Sequence, residues 1–173
     1  MSASPHPFRV LFLCTGNSAR SIMAEAYLNS AGNGRFVAYS AGSHPQGAVN
    51  RFALELLARH HIDTAALRSK SWDEFARPGA PAMDFVLTVC DQAAGEACPF
   101  WPGRPITAHW GVNDPAKVAG RDDDKRAAFA RAFAELSRRI DRLLAVPVAS
   151  LEPANAARTL AEIARSAEQL RTP

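Results

Sequence analysis

The amino-acid sequence predicts an α/β protein built on a four-stranded parallel sheet with helices on both faces. Residues 8–13 form an almost continuous apolar run, which is typical of a central strand that is buried on both sides. Short apolar runs then alternate with segments of helical periodicity, as they do in parallel α/β folds. The length of 173 residues and the hydrophobic share of 47% suit one domain with a substantial core.

Each element is predicted from its own local signals. Strands are expected where short apolar runs are bounded by polar or turn-forming residues: 8–13, 35–40, 83–89 and 106–110. Helices are expected where apolar residues recur at helical spacing: 18–31, 47–60, a short turn at 72–76, 122–144 and 154–170. The stretch 90–105 is rich in Gly, Pro and Ala and is predicted to be a long loop. Parallel strands end at one edge of the sheet, so the segments that follow the first, third and fourth strands should meet there.

The predicted organisation has three parts. Residues 1–7 are expected to be a disordered tail, residues 8–145 an α/β domain, and residues 146–173 a helical extension. The extension could close the domain or form a subunit contact. The first seven residues lack the basic and apolar regions of a signal peptide, which favours a cytoplasmic location.

Composition narrows the classes of partner. The net charge of +3 gives no case for nucleic acid and mildly favours an anionic substrate. No apolar run approaches the length of a membrane span, so no membrane contact is expected. Three cysteines in a reducing compartment do not form a disulfide framework, and any pairing among them should be transient.

The segment Cys14-Thr-Gly-Asn-Ser-Ala-Arg-Ser21, called the anion loop below, joins the first strand to the first helix. A helix N-terminus offers unpaired N–H groups and partial positive charge, so a loop that enters it can bind an oxyanion. We expect Gly16 to provide unusual backbone angles, and Arg20 to add a planar cationic fork. The same positive field should lower the pKa of Cys14 and make it a nucleophile. The competing interpretation is that Cys14 is a small buried hydrophobic residue.

Anion binding is therefore assigned to the backbone and side chains that follow the cysteine: Thr15, Gly16, Asn17, Ser18, Ala19, Arg20 and Ser21.

Two further cysteines lie in the predicted 90–105 loop. Cys90 ends the third strand, and Cys98 follows eight positions later, before Pro99. Taken alone, Cys90 suits core packing and Cys98 suits an incidental surface thiol. Together with Cys14, they favour a relay of thiols.

The segment after the fourth strand supplies a carboxylate. Asp114 follows that strand at the predicted active edge and could act as a general acid. Its alternative role is an Asx-Pro turn with Pro115. His109 is interpreted as a structural residue near the strand end, and no cluster in the sequence has the spacing of zinc ligands.

These motifs, in register over about residues 8–145, carry a family resemblance. Cys-x5-Arg-Ser at the start of the first helix resembles the low-molecular-weight tyrosine phosphatase superfamily. The fuller string Cys-Thr-Gly-Asn-Ser-x-Arg-Ser, the pair Cys90…Cys98-Pro, His-Trp-Gly and Asp-Pro-Ala resemble its arsenate reductase branch. The resemblance implies that Cys14 is the nucleophile, Arg20 the oxyanion binder and Asp114 the acid. It implies that Cys90 and Cys98 are the redox partners.

The resemblance also implies partners. The substrate would be arsenate or phosphate, with no tightly bound cofactor and with thioredoxin or glutathione and glutaredoxin as external reductant. The protein would be a monomer or a weak dimer. Some members hold a potassium ion behind the loop, and the matching positions here are Asn17, Glu25, Ser40 and Asp73. Glu25 and Asp73 equally suit plain polar roles.

Two other functions stay open. A low-molecular-weight phosphotyrosine phosphatase shares the loop and the acid but needs no second cysteine, and a non-catalytic oxyanion-binding module needs no reactive Cys14. Phosphatases of this fold usually carry an aromatic residue after Asp-Pro, where this chain has Ala116. Many thioredoxin-coupled reductases have a cysteine where this chain has Ala19, and the spacing from Cys90 to Cys98 is one residue longer than theirs. The electron donor is therefore left open between thioredoxin and glutaredoxin.

Overall fold

The four predicted strands form one parallel sheet. The computed structural model describes residues 6–168, with side chains described to residue 166. Strands β1 (Phe8–Cys14), β2 (Phe36–Gly42), β3 (Phe85–Thr88) and β4 (Ile106–His109) lie in the order β2-β1-β3-β4. All three pairings are parallel, so the predicted fold class is confirmed.

Strand β1 is buried on both faces, as its apolar run predicts. Val10 and Phe12 point into the main core, whereas Leu11 and Leu13 belong to a smaller core on the other face of the sheet. Successive side chains of a strand alternate between faces, so one apolar run contributes to both cores. The alternation also places Cys14 on the side of the main core.

Within residues 6–168, six helices surround the sheet. They are α1 (Arg20–Ala31), α2 (Arg51–Arg59), α3 (Asp73–Ala76), α4 (Asp91–Gly95), α5 (Asp122–Ala145) and α6 (Pro153–Glu168). Buried residues of α1, α2, α5 and α6 share the main core, and Phe75 of α3 covers the opposite face together with Trp101. Two 3-10 turns, Pro115–Lys117 and Val148–Ser150, precede α5 and α6.

Several predicted boundaries are wrong: α1 begins at Arg20 rather than at residue 18, and β3 spans Phe85–Thr88 rather than 83–89. Three further differences have local reasons. Helix α2 begins at Arg51 rather than at residue 47, because the Asn50 side chain accepts a hydrogen bond from the N–H of Phe52 at 2.9 Å and caps the helix there. Strand β2 continues to Gly42 rather than ending at residue 40, because it stays paired with β1 to that point. The predicted loop 90–105 contains helix α4, because the sulfur of Cys90 accepts from the N–H of Ala93 at 3.3 Å.

Helix α6 packs on the edge of the sheet. Leu160 and Ile163 are buried in the main core, and the indole N–H of Trp110 donates to the carbonyl of Leu160 at 3.0 Å. The helix therefore covers β4. The predicted end of this helix at residue 170 and the first five residues of the predicted tail lie outside the described residues. Within residues 6–168, no helix has the length and hydropathy needed to cross a membrane.

Candidate active site

The segments that follow β1, β3 and β4 meet in one cavity at the carboxyl edge of the sheet. Its volume is about 400 Å³. The anion loop forms one wall, and Cys90, Val112 and Asp114 line the others. His44, Gln46 and Lys117, which sequence reasoning missed, complete the rim. Their contribution follows from the fold and not from any local motif, since residues 44–46 reach the site only through the pairing of β2 with β1.

The backbone of the anion loop is held from outside the cavity. The carbonyls of Thr15, Gly16 and Ser18 each accept a hydrogen bond of 2.9 Å, from the N–H groups of His44, Gln46 and Asn50 respectively. In a planar trans peptide the carbonyl and the next N–H point in opposite directions. These three anchors therefore direct the following N–H groups of the loop inward, where an oxyanion would lie.

In the anion loop, Asn17 and not Gly16 has the left-handed backbone conformation. Asn17 has φ of 44°, and Gly16 is not among the residues of positive φ, so the role predicted for Gly16 is wrong. Asparagine tolerates this conformation better than most residues with a side chain. The glycine that the loop requires is Gly42, at the end of β2. A Cβ there would lie 2.4 Å from the Thr15 carbonyl oxygen, so only glycine permits this approach.

Cys14 lies at the floor of the cavity and is held by two neighbours, Ser21 and Asn17, which also contact each other. The Ser21 hydroxyl is 2.8 Å from its sulfur, and the Asn17 N–H donates to the sulfur at 3.2 Å. The Asn17 side-chain amide donates to the Ser21 oxygen at 2.8 Å. The Ser21 oxygen accepts this bond and keeps its own proton, which it can donate to Cys14 when the sulfur is a thiolate.

Burial nevertheless raises the pKa of Cys14. The Ser21 hydrogen bonds and the charge of Arg20 act in the opposite direction and are outweighed. The lowered pKa of Cys14 predicted from the loop's positive field is therefore wrong, because burial of the thiol outweighs that field.

Removing the Ser21 hydroxyl should raise the pKa of Cys14 further. We expect Ser21→Ala to slow iodoacetamide labelling of Cys14 about tenfold at pH 7, since a hydrogen bond to a charged group contributes roughly 1.5–3 kcal/mol. Labelling should recover at higher pH, where the thiol ionises. The measurement is the alkylated fraction of the Cys14 peptide by mass spectrometry across pH. Ser43→Ala, whose hydroxyl contacts His44, is the control, and an unchanged Ser21→Ala profile would remove Ser21 from this role.

Arg20 and Asp114 face each other across the cavity. Their side chains form an ion pair at 3.2 Å, and Arg20 also donates to the Val112 carbonyl at 2.9 Å. Asp114 accepts from the N–H of Ala116 at 3.0 Å, which caps the turn Pro115–Lys117. The Asx turn is thus present through one carboxylate oxygen of Asp114, while the other contacts Arg20; the general-acid role stays a prediction.

Arg139 of α5 holds the segment that carries Asp114. Its side chain is fully buried and donates to the carbonyls of Trp110 and Gly111 at 3.0 and 3.1 Å. Sequence reasoning missed this residue, because an arginine within a helix rich in charged residues is usually exposed. The contact fixes the path of the chain between β4 and Asp114.

The structure brings Cys90 to the cavity and leaves Cys98 outside it. Cys90 is buried and lines the cavity together with Cys14, and the Thr15 hydroxyl is 3.7 Å from its sulfur. The same hydroxyl donates to Glu96, beyond α4, at 3.2 Å. Cys98 is exposed. The protein surface around its thiol removes some water from the sulfur, and this desolvation, followed by the negative charge of Glu96, raises the pKa of Cys98.

The first turn of α4 is fixed by His109. The imidazole contacts the Thr88 hydroxyl and the Asp91 carboxylate, each at 2.7 Å. This agrees with the structural role predicted for His109. Asp91 directly follows Cys90, so the contact also restrains the helix on which Cys90 depends for its position.

The four positions proposed for potassium are only partly brought together. The Ser40 hydroxyl donates to Glu25, and Asn17 accepts from the backbone N–H of Lys70 at 2.9 Å, whereas Asp73 is exposed at the start of α3. The Lys70 ammonium lies 3.7 Å from the Glu25 carboxylate. Burial raises the pKa of Glu25 and lowers that of Lys70. Because a protein cation already lies beside Glu25, these residues do not fit a potassium ion. Residues 6–168 contain no cluster of three His, Cys, Asp or Glu residues that could hold a metal.

The fold and the loop place the chain in a known class. The sequence profile of the low molecular weight phosphotyrosine protein phosphatase family matches residues 9–155, and the chain belongs to this family. Within it, the chain is similar to the arsenate reductase of Halalkalibacterium halodurans, at 38% identity over 131 residues, which are 76% of this chain and 91% of that protein.

Two solved structures show the same architecture. An arsenate reductase from Archaeoglobus fulgidus superposes with a TM-score of 0.60 and 28% identity, covering 79% of this chain and 99% of that one. A low molecular weight protein tyrosine phosphatase from T. tengcongensis gives 0.62 and 27%, covering 80% and 98%. The similarity in fold therefore spans both activities, and the residues of the site must decide between them.

Proposed function

We propose that the protein is an arsenate reductase that uses Cys14, Cys90 and Cys98 in turn. The observation that carries the proposal is the second thiol: Cys90 lines the same cavity as Cys14. A phosphatase needs no thiol there, whereas a reductase needs one to remove the oxidised product. The similarity to curated arsenate reductases supports the same assignment.

Binding comes first. Arsenate is a tetrahedral oxyanion, and the inward N–H groups of the anion loop together with Arg20 would bind it. The fork of Arg20 must turn from Asp114 toward the anion, because the two are paired in the anion-free site. Binding thereby releases the Asp114 carboxylate, which can then take up a proton.

The first chemical step forms a sulfur–arsenic bond. The proton of the Cys14 thiol passes to the bound arsenate dianion, which gives a thiolate and H₂AsO₄⁻. The thiolate attacks arsenic, and hydroxide leaves and takes a proton from Asp114, so the products are Cys14–S–AsO₃H⁻ and water. Arsenic is still As(V) at this point. Phosphate follows the same path up to a covalent intermediate, which water can hydrolyse.

The second step reduces arsenic. The thiolate of Cys90 attacks the sulfur of Cys14, a Cys14–Cys90 disulfide forms, and the electron pair of the sulfur–arsenic bond leaves with arsenic as arsenite, As(III). The Thr15 hydroxyl lies 3.7 Å from the Cys90 sulfur and can donate to the Cys90 thiolate once it releases Glu96. Phosphorus offers no comparable reduction, so phosphate cannot leave by this route.

The third step moves the oxidation outward. The thiolate of Cys98 attacks Cys90, which releases the Cys14 thiolate and leaves a Cys90–Cys98 disulfide for an external reductant. Exposure of Cys98 supports this role, and helix α4 between the two cysteines must open for them to meet. Thioredoxin, or glutathione with glutaredoxin, would reduce this disulfide in a reducing cytoplasm, with the enzyme acting as a monomer or a weak dimer.

Phosphate-ester hydrolysis is the second candidate. Cys14, Arg20 and Asp114 would serve it equally, and the structural similarity to a tyrosine phosphatase favours at least a weak activity of this kind. Ala116 at the rim offers no aromatic surface on which a phenyl ring could stack. A non-catalytic oxyanion-binding module would not need the contacts among Cys14, Ser21 and Asn17.

The deciding experiment measures arsenate-dependent NADPH oxidation in parallel with thioredoxin and thioredoxin reductase and with glutathione, glutaredoxin and glutathione reductase. An aryl phosphate assay on the same preparation gives the competing activity. We expect arsenate reduction with one of the two donors and slow phosphatase turnover. Fast aryl phosphate hydrolysis without arsenate reduction under either donor would assign the protein to the phosphatases.

Asp114→Asn separates proton transfer from anion binding. The amide oxygen of asparagine can keep the hydrogen bond to Ala116, so the turn should survive. Loss of the acid should lower kcat by about 10²-fold or more. Affinity for phosphate should not fall, because Arg20 no longer has a carboxylate partner. Steady-state kinetics together with phosphate titration test both expectations, and normal kcat across pH would reduce Asp114 to a turn residue.

A further inference from the structure

Lys70 and Glu25 form a buried ion pair that the proposed reaction does not use. The Lys70 Nζ is 3.7 Å from the Glu25 Oε2, and the two side chains are only 6% and 12% exposed. Lysine is almost never buried without a partner, because removing an ammonium from water is costly. Here the ammonium also donates to the Arg68 carbonyl at 3.1 Å, and the Ser40 hydroxyl donates to Glu25.

The pair is connected to Cys14 through a short series of hydrogen bonds. The backbone N–H of Lys70 donates to the Asn17 side-chain oxygen at 2.9 Å. The amide nitrogen of Asn17 donates to Ser21 at 2.8 Å, and Ser21 contacts the Cys14 sulfur at 2.8 Å. Lys70 is itself fixed to the sheet, since its carbonyl accepts from the N–H of Gly42 at 2.9 Å.

Asn17 depends on this support. Its backbone has φ of 44°, which residues with a side chain adopt only where the surroundings hold them. The contacts to Lys70 and Ser21 engage both ends of its amide. A shift of the backbone at Lys70 would therefore change the conformation of the anion loop through Asn17.

We propose that the ammonium of Lys70 is a built-in cation that takes the place of the monovalent metal ion implied by the family resemblance. It neutralises Glu25 and holds the segment that supports Asn17, so the anion loop keeps its shape without added potassium. Lys70 is a positioning residue, because it acts on the loop and does not line the cavity.

The proposal predicts what happens when the charge is removed. Lys70→Gln leaves the Glu25 carboxylate buried without its cation, beside the Ser40 oxygen and with the Arg68 carbonyl freed from the ammonium. A potassium ion, which prefers oxygen ligands, can then bind there. In choline chloride, we expect this variant to have a lower Tm and to bind inorganic phosphate roughly 5–150-fold more weakly, the range of typical coupling between sites. Potassium chloride should restore both properties in a saturable way.

The test measures the Tm and the phosphate Kd in potassium chloride and in choline chloride at equal ionic strength. Wild type and the matched control Lys125→Gln should be the same in both salts. The double variant Lys70→Gln/Glu25→Gln should not respond to potassium, because the carboxylate that would bind the ion is gone. That third arm separates a cation site from a general effect of salt on a weakened fold.

Three results would overturn the proposal. They are a potassium response in the wild-type protein, a Lys70→Gln protein that folds and is indifferent to potassium, and a double variant that still responds. If Lys70→Gln does not fold in either salt, the wild-type arm decides alone, by whether potassium changes its Tm and phosphate Kd. The inference rests on the oxyanion-binding half of the proposed function. Since neither readout involves arsenate turnover, failure of the reductase assignment would leave this test unaffected.

Discussion

Cys14→Ser should abolish both arsenate reduction and phosphate-ester hydrolysis, leaving only the rate of the enzyme-free control. A serine hydroxyl has a far higher pKa than a thiol, so an oxyanion that can take the Cys14 proton cannot deprotonate serine at neutral pH. The groups that contact the Cys14 sulfur, the Ser21 hydroxyl and the N–H of Asn17, are not bases. Serine is also smaller, so the floor of the cavity should stay intact. Assays of both activities with the same preparation test the expectation.

The control for this variant is binding. Phosphate affinity and Tm should stay near the wild-type values, because the N–H groups of the loop and Arg20 are unchanged. Retention of either activity in a correctly folded Cys14→Ser protein would show that the nucleophile is misassigned. Loss of both activities together with normal phosphate binding would exclude the non-catalytic module, which needs no cysteine at this position.

Cys98→Ser should stop the reaction after one arsenite per enzyme and trap a Cys14–Cys90 disulfide. The chain has three cysteines, so this variant keeps only Cys14 and Cys90, and any internal disulfide must join them. Cys98 is exposed, and its replacement should not disturb the core. Mass spectrometry of the alkylated and digested protein after exposure to arsenate would show the bridge directly.

Cys90→Ser is the complementary variant. The serine oxygen can accept from the N–H of Ala93 as the Cys90 sulfur does, so helix α4 should persist. We expect no multiple turnover, since no second thiol remains in the cavity. Two outcomes contradict the relay: a Cys14–Cys98 disulfide in this variant, or normal turnover of Cys98→Ser with glutathione and glutaredoxin. Normal turnover of Cys98→Ser would place the protein among reductases that use an external thiol. Ala19 is compatible with that outcome, since many thioredoxin-coupled reductases have a cysteine at this position.

The sequence by itself determined the sheet, the strand-loop-helix unit and the candidates for the reacting groups. These signals are local. A continuous apolar run predicts β1 as a strand buried on both faces, and the eight residues from Cys14 to Ser21 contain the thiol, the N–H donors and the guanidinium. Asp114 was predicted on the same principle, because strand ends of a parallel sheet share an edge. Helix starts were less accurate, since the Asn50 and Cys90 caps are single side-chain contacts that periodicity does not report.

The tertiary structure alone decided how these groups are held and charged. Residues distant in sequence meet at the loop: Gly42 makes room for Thr15, the N–H of Lys70 holds Asn17, and Arg139 fixes the path to Asp114. Burial of Cys14 reverses the direction of the pKa shift that the loop's own field predicts, and Asp114 forms an ion pair with Arg20. The physical reason is that desolvation and ion pairing depend on every neighbour in space, whereas a sequence motif specifies only the neighbours along the chain.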